Sequence, residues 1–270
     1  MEKEKTFFTI KLFATVSFVV MVVVNILSEV LPLNGITTGE ISDSYPNLFA
    51  PTGLTFSIWG LIYVLLALYT LYLLGLFRGK DKSVNADLLC KTGIAFSISS
   101  LINAGWMFSW HYKLIPLSMI LMVLLLACLI YIFMIISKQN LSKRELVMIR
   151  LPFAIYFGWI TVATIANATV LLVSLGWNGF GLSQDIWTII IVAVGAIIGI
   201  ITLLRFKSIA YEFVFIWAYI GILIKHTSSS GFSNQYPGII TTVIICLVLF
   251  VAAIVYTFIR KRLQTVKNNK

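Results

Sequence analysis

The chain is 270 residues long, 60% hydrophobic and only 11% charged, with a mean hydropathy of +0.99 and a formal net charge of +10. A soluble domain keeps roughly 25% of its residues charged so that its surface stays wet, so no soluble domain is expected. The positive charge then does not signal nucleic-acid binding, which needs a basic face on such a domain; flanking Lys and Arg that set membrane orientation account for it.

Apolar runs long enough to cross a bilayer recur along the chain. Ile120–Ile136 and Thr242–Ile254 are apolar on every side, whereas the strands of an outer-membrane barrel alternate. The expected fold class is all-α, a polytopic transmembrane bundle of eight helices. The first, 8–30, follows Glu2-Lys3-Glu4-Lys5. Its apolar stretch exceeds that of a signal peptide and no small-x-small site follows Ile26, so an uncleaved span is expected. The longest connection comes next, Pro32–Ala50, rich in turn formers and carrying Glu40 and Asp43 but no Lys or Arg. Helices are then expected at 51–77, 88–110, 114–137 and 147–174, followed by 186–206, 208–225 and 238–260. Trp177, Phe180, Trp187, Phe232 and Tyr236 fall in or beside the later outer loops, as an interface belt of aromatics.

Charge supplies an independent check on the count. With both termini cytoplasmic, 18 of the 20 Lys and Arg lie on the inner side, and only Lys113 and Lys225 fall outside. One span more or fewer would scramble that partition. The Lys-rich tail and the Ile- and Phe-rich style suit a bacterial plasma membrane, crossed several times.

Three helices carry a pattern that apolarity does not require. Phe56, Trp59 and Tyr63 share one face of the second. Phe96, Ser99, Asn103, Trp106 and Trp110 share one of the third, and Pro152, Tyr156, Trp159, Ala163 and Asn167 one of the fifth. Asn103 and Asn167 need hydrogen-bond partners in hydrocarbon, so these stripes are expected to face one another inside the bundle. Taken singly, each aromatic also suits a packing role and each Asn suits interhelical bonding.

The run Phe49-Ala50-Pro51 with Phe56, Trp59-Gly60, Tyr63, Ala67 and Tyr69 resembles the second-helix signature of the tryptophan-rich sensory protein family, also called the translocator protein or TspO/MBR family. Leu101-Ile102-Asn103-Ala104-Gly105-Trp106 resembles its third-helix Leu-Asn-x-x-Trp motif. Leu151-Pro152-Phe153-Ala154-Ile155-Tyr156 with Trp159, Ala163 and Asn167 resembles its fifth-helix pattern. The resemblance implies a five-helix domain at 1–175 with a pocket beneath the first loop; the three further helices form a transmembrane extension at 176–270 that the short members of the family lack. It further implies a hydrophobic or planar ligand, a porphyrin, haem or lipid, with no other cofactor. The implied ligand-binding residues are Phe56, Trp59, Asn103, Trp106, Tyr156, Trp159 and Asn167. Where the family's first loop supplies further Trp, Pro and Lys, this loop reads Ile41-Ser42-Asp43-Ser44-Tyr45-Pro46-Asn47-Leu48.

Other features bound the chemistry. Cys90, Cys128 and Cys246 have no CxxC spacing, and His111 and His226 lack enough company for a metal. No catalytic triad, nucleotide loop or zinc-protease motif occurs, so neither an enzyme nor a metal site is expected. Gly195 and Gly199 form a GxxxG motif, suited to internal packing, a homodimer or a membrane partner. Glu29 is expected on the face of Asn25, and Glu212 to align with Tyr219 and pair with Arg205 or Lys207. Three readings stay open: a small-molecule binder in the bilayer, a secondary transporter using Glu29 or Glu212, and a partner protein docking through the glycine motif.

Overall fold

A computed structural model describes residues 2–31, 33–78 and 85–268. Pro32, Lys80, Lys82 and Lys270 of the connections and flanks lie outside the described residues. We number the eight long helices α1 Glu2–Val30, α2 Ile58–Leu74, α3 Ala86–His111, α4 Ile115–Ser137, α5 Leu151–Ser174, α6 Gln184–Phe206, α7 Ile209–Thr227 and α8 Pro237–Asn268. Each belongs to a stretch long and apolar enough to cross a membrane, and no strand occurs among the described residues. The polytopic helical bundle expected from the hydropathy pattern is the fold.

The first five helices close a ring in the order α1, α3, α4, α5, α2. Helices α6 and α7 both pack on α8, and α7 docks on α5 and on the 3-10 turn Gly53–Ser57 that leads into α2. Gly195 and Gly199 of α6 face Tyr219 and Phe215 of α7: a Cβ on Gly199 would stand 2.9 Å from the Phe215 ring. That glycine face is used inside the chain, where the missing side chains let two aromatic rings seat.

Pro152 sits in the first turn of α5 yet does not end the helix. The turn before it, Leu146–Arg150, widens to a π-helix. Pro152 has no N–H to donate, and its ring would crowd the carbonyl a turn earlier, so the wider turn lets the helix run through.

The first loop folds back over the bundle end and contains a short helix, Thr38–Asp43. Its start is a capping box: Thr37 N–H donates to Glu40 Oε2 at 2.7 Å, while Glu40 N–H donates to Thr37 Oγ1 at 3.4 Å. The backbone bond from Thr37, with a further bond from its hydroxyl, holds the exposed Glu40 carboxyl below its usual value of 4.5. A lowered folded value means the cap stabilises the loop above pH 4.5 and fails as pH falls through the folded value. Amide protection factors across Thr38–Asp43 should therefore drop on acidification in the wild type. In Glu40→Gln they should start lower and no longer respond to acid.

Candidate functional site

The three stripes meet beneath the first loop. Their centre is Trp59 of α2, whose ring lies 6.4 Å from Trp106 of α3 and 6.1 and 6.2 Å from Tyr156 and Trp159 of α5. Tyr63, one turn along α2, stacks on Trp59 at 5.6 Å, and Phe56 meets Trp159 edge-on at 5.9 Å. Such offset and edge-to-face pairs suit the ring quadrupoles.

Two polar clusters tie the ring helices together. Asn25 Nδ2 of α1 donates to Asn103 Oδ1 at 2.9 Å, and Asn103 Nδ2 donates to the Tyr156 hydroxyl at 3.1 Å. Nearer the loop, Trp106 Nε1 donates to Asn167 Oδ1 at 3.0 Å, and Asn167 Nδ2 donates to Ser118 Oγ of α4 at 3.1 Å. All three Asn are buried, as the cost of an unpaired amide in hydrocarbon demands.

Beneath the loop, beside the Trp106–Asn167 cluster, is a cavity of about 50 Å³. Of the seven candidate residues, Phe56, Trp59, Trp106, Trp159 and Asn167 line it. Asn103 and Tyr156 do not; they lie one turn further from the loop, bonded to each other. The Trp159 indole N–H is buried and has no hydrogen-bond partner among the described residues. Trp110 of the α3 stripe also lines it, and the remaining lining brings in residues that the stripes did not indicate: Asn47 and Phe49 of the loop, and Ala218 and Ile222 of α7.

Small-molecule pockets occupy roughly 300–1,000 Å³, so the aromatic rings nearly fill this one. A porphyrin does not fit the cavity as it stands. Among the described residues no His, Cys, Met or Tyr lines it, so these walls offer haem iron no common axial ligand. Behind the roof is more room: a cleft of about 250 Å³ shares Asn47 and Phe49 with the pocket and reaches Trp177 and Trp187.

The roof is held at both ends by buried imidazoles. His111 Nδ1 donates to the Leu33 carbonyl at 3.1 Å, which leaves Nε2 to accept from the Thr38 hydroxyl at 3.1 Å. His226 Nε2 donates to the Leu48 carbonyl at 2.9 Å. Helix α7 adds two bonds, Thr52 N–H to the Gly221 carbonyl at 3.2 Å and Trp217 Nε1 to the Thr55 carbonyl at 2.9 Å. Gly221 lies so close to Thr55 that a Cβ there would collide with the Thr55 side chain.

The two carboxylates fall differently from expectation. Glu29 is exposed while Asn25 is buried, and Ser28 continues the buried face instead. Four residues advance a helix by about 40° beyond a full turn, enough to carry Glu29 to the outside. Glu212 takes no hydrogen bond from Arg205 or Lys207; it is fully buried and neither oxygen has such a partner among the described residues.

Asn25 was legible in principle, since the argument that placed Asn103 inside applies equally to a lone Asn in α1. The contribution of α7 had no local signal. No group of three or more His, Cys, Asp or Glu able to hold a metal occurs among the described residues.

Compared with known proteins, residues 11–256 match the family model described as TSPO-like protein. That match runs through all three added helices as well as the first five. No curated protein and no solved structure matches the chain. The stripes, the pocket beneath the loop and this match together make the chain a multi-pass membrane protein that belongs to the TSPO-like family.

Proposed function

We propose that this protein binds an apolar, ring-bearing small molecule in the aromatic pocket, without catalysing a reaction, as a sensor or carrier in the membrane. The observation that carries the reading is the partnerless Trp159 N–H in the wall of a tryptophan-lined cavity. A buried donor left unpaired costs about 1–3 kcal/mol, and a ligand oxygen would satisfy it. The favoured ligand class is therefore flat and apolar with one acceptor group, which includes tetrapyrroles and oxygenated lipids.

Binding requires the roof to lift. The rings must spread from a cavity of about 50 Å³, and a macrocycle demands more of that motion than a single-ring compound. The cleft behind Phe49 offers the roof somewhere to go. In this reading both termini face the cytoplasm of a plasma membrane, as the charge distribution favours. The roof and the cleft then open on the outer side.

Tryptophan quenching by porphyrins and by oxygenated lipids, titrated into purified protein, tests the proposal. Saturable quenching is expected. Trp159→Phe should weaken the acceptor-bearing ligand roughly fivefold, the worth of one hydrogen bond of about 1 kcal/mol, while leaving a ligand without an acceptor unaffected. Absence of quenching by every apolar ligand tried would end this reading.

A further inference from the structure

Glu212 stands in the first turn of α7, fully buried, with both carboxyl oxygens unpartnered among the described residues. It shares a face with Phe215 and Tyr219. Phe215 packs against Gly199 of α6 and Phe250 of α8, and Tyr219 against Gly195 and Phe250. Continuing this antiparallel register by one turn sets Glu212 between α6 and α8, near the fully buried Leu203.

The charged and titratable neighbours on each packed element have engagements of their own. On α6, Arg205 lies over the Phe206 ring, and Lys207 caps the helix. From the α5 side, Arg150 donates to the Phe206 carbonyl. On α7 itself, Tyr211 donates to Thr161 and Tyr219 to the Val192 carbonyl. On α8, Arg260 is exposed, Arg262 lies over Phe258, and buried Cys246 is uncharged as a thiol. An ionised carboxylate in such a place is shut off from bulk solvent and meets no hydrogen-bond donor among the described residues, whereas the neutral acid is tolerated.

We propose that Glu212 is a proton-binding site whose occupancy sets the seating of α7, and through it the aromatic pocket. The step moves one proton between the aqueous phase at the α6–α7 turn and a Glu212 oxygen; no bond between heavier atoms changes. The neutral acid lets α7 lie closed against α6 and α8. The anion draws the first turn of α7 toward water. The coupling is one helix: Gly221 is nine residues on, ~14 Å along the axis, and there α7 bonds Thr52 while Ala218 and Ile222 wall the pocket. A tilt begun at Glu212 is therefore delivered where the roof is anchored.

Infrared difference spectra of the protein in lipid nanodiscs, wild type against Glu212→Gln, test this directly. At neutral pH the wild type should show the carbonyl band of a protonated carboxylic acid, absent from the variant. Raising the pH should remove that band and shift the emission of the pocket tryptophans with the same midpoint. Glu212→Gln and Glu212→Leu, both permanently neutral, should lose this shift. An ionised Glu212 at neutral pH, or an emission shift that persists unchanged in both variants, would overturn the proposal. Neither readout uses an added ligand, so failure of ligand binding would leave this test standing.

Discussion

Gly221→Val should unseat α7 and loosen the roof of the pocket. The glycine faces Thr55 with no space for even a Cβ, and Thr55 is itself buried at 1% exposure. A branched side chain must push α7 away from the 3-10 turn, and with it go the Thr52 N–H to Gly221 and Trp217 to Thr55 bonds. Overpacking of this kind costs about 1–3 kcal/mol, and the two lost bonds bring the expected destabilisation to the upper end of that range. The readouts are unfolding in detergent and proteolysis within residues 42–57, which should become faster. Gly60→Ala is the matched control: a Cβ there meets nothing within 4 Å, so it should be neutral or stabilise by up to about 1 kcal/mol. If Gly221→Val behaves like Gly60→Ala, α7 does not hold the roof.

Trp59→Ala should have the largest effect of any single truncation in the pocket. Its ring touches the aromatic systems of Tyr63, Trp106, Tyr156 and Trp159, and so joins α2 to α3 and α5. Helix α2 packs only sparsely on both of its ring neighbours, α1 and α5, beside the packing of the other ring pairs. Truncating a core aromatic costs about 3–5 kcal/mol, and Trp59 is only partly buried, which favours the lower end. Trp59→Phe keeps a ring at the centre and should lose much less. Equilibrium unfolding of the two variants separates them; equal, small losses would show that α2 is held by contacts other than this ring. Ligand quenching that survives replacement of all four lining tryptophans, Trp59, Trp106, Trp110 and Trp159, would place the ligand outside the pocket.

How far the fold and the site could be read beforehand follows from the range of the signals. Membrane insertion is a property of each stretch by itself, so apolarity found the eight spans and the bundle class. Helical spacing is equally local. It placed Phe56, Trp59, Trp106, Trp159 and Asn167 on inward faces, and the cost of an unpaired amide put Asn103 inside with them. What spacing could not say is depth along the axis, and so Asn103 and Tyr156 fall a turn away from the cavity that the other five line. Nor could a four-residue interval decide that Glu29 turns outward while Asn25 points in.

The rest depended on which helices become neighbours. Trp217 and Thr55 lie 162 residues apart, and His226 and Leu48 lie 178 apart, with nothing in either local sequence to announce the other. The same holds for the small volume of the pocket, and for the Trp159 N–H and the Glu212 oxygens that have no hydrogen-bond partner among the described residues. Each is a remainder left after three or four helices have packed together. By itself the sequence determined where the chain crosses the membrane and which side chains turn inward, because those follow from transfer energy and helical pitch. Only the tertiary structure decided that α7, a helix outside the five-membered ring, walls the pocket and holds its roof. That outcome rests on close approach at Gly221, where the shape of one helix has to match the shape of another.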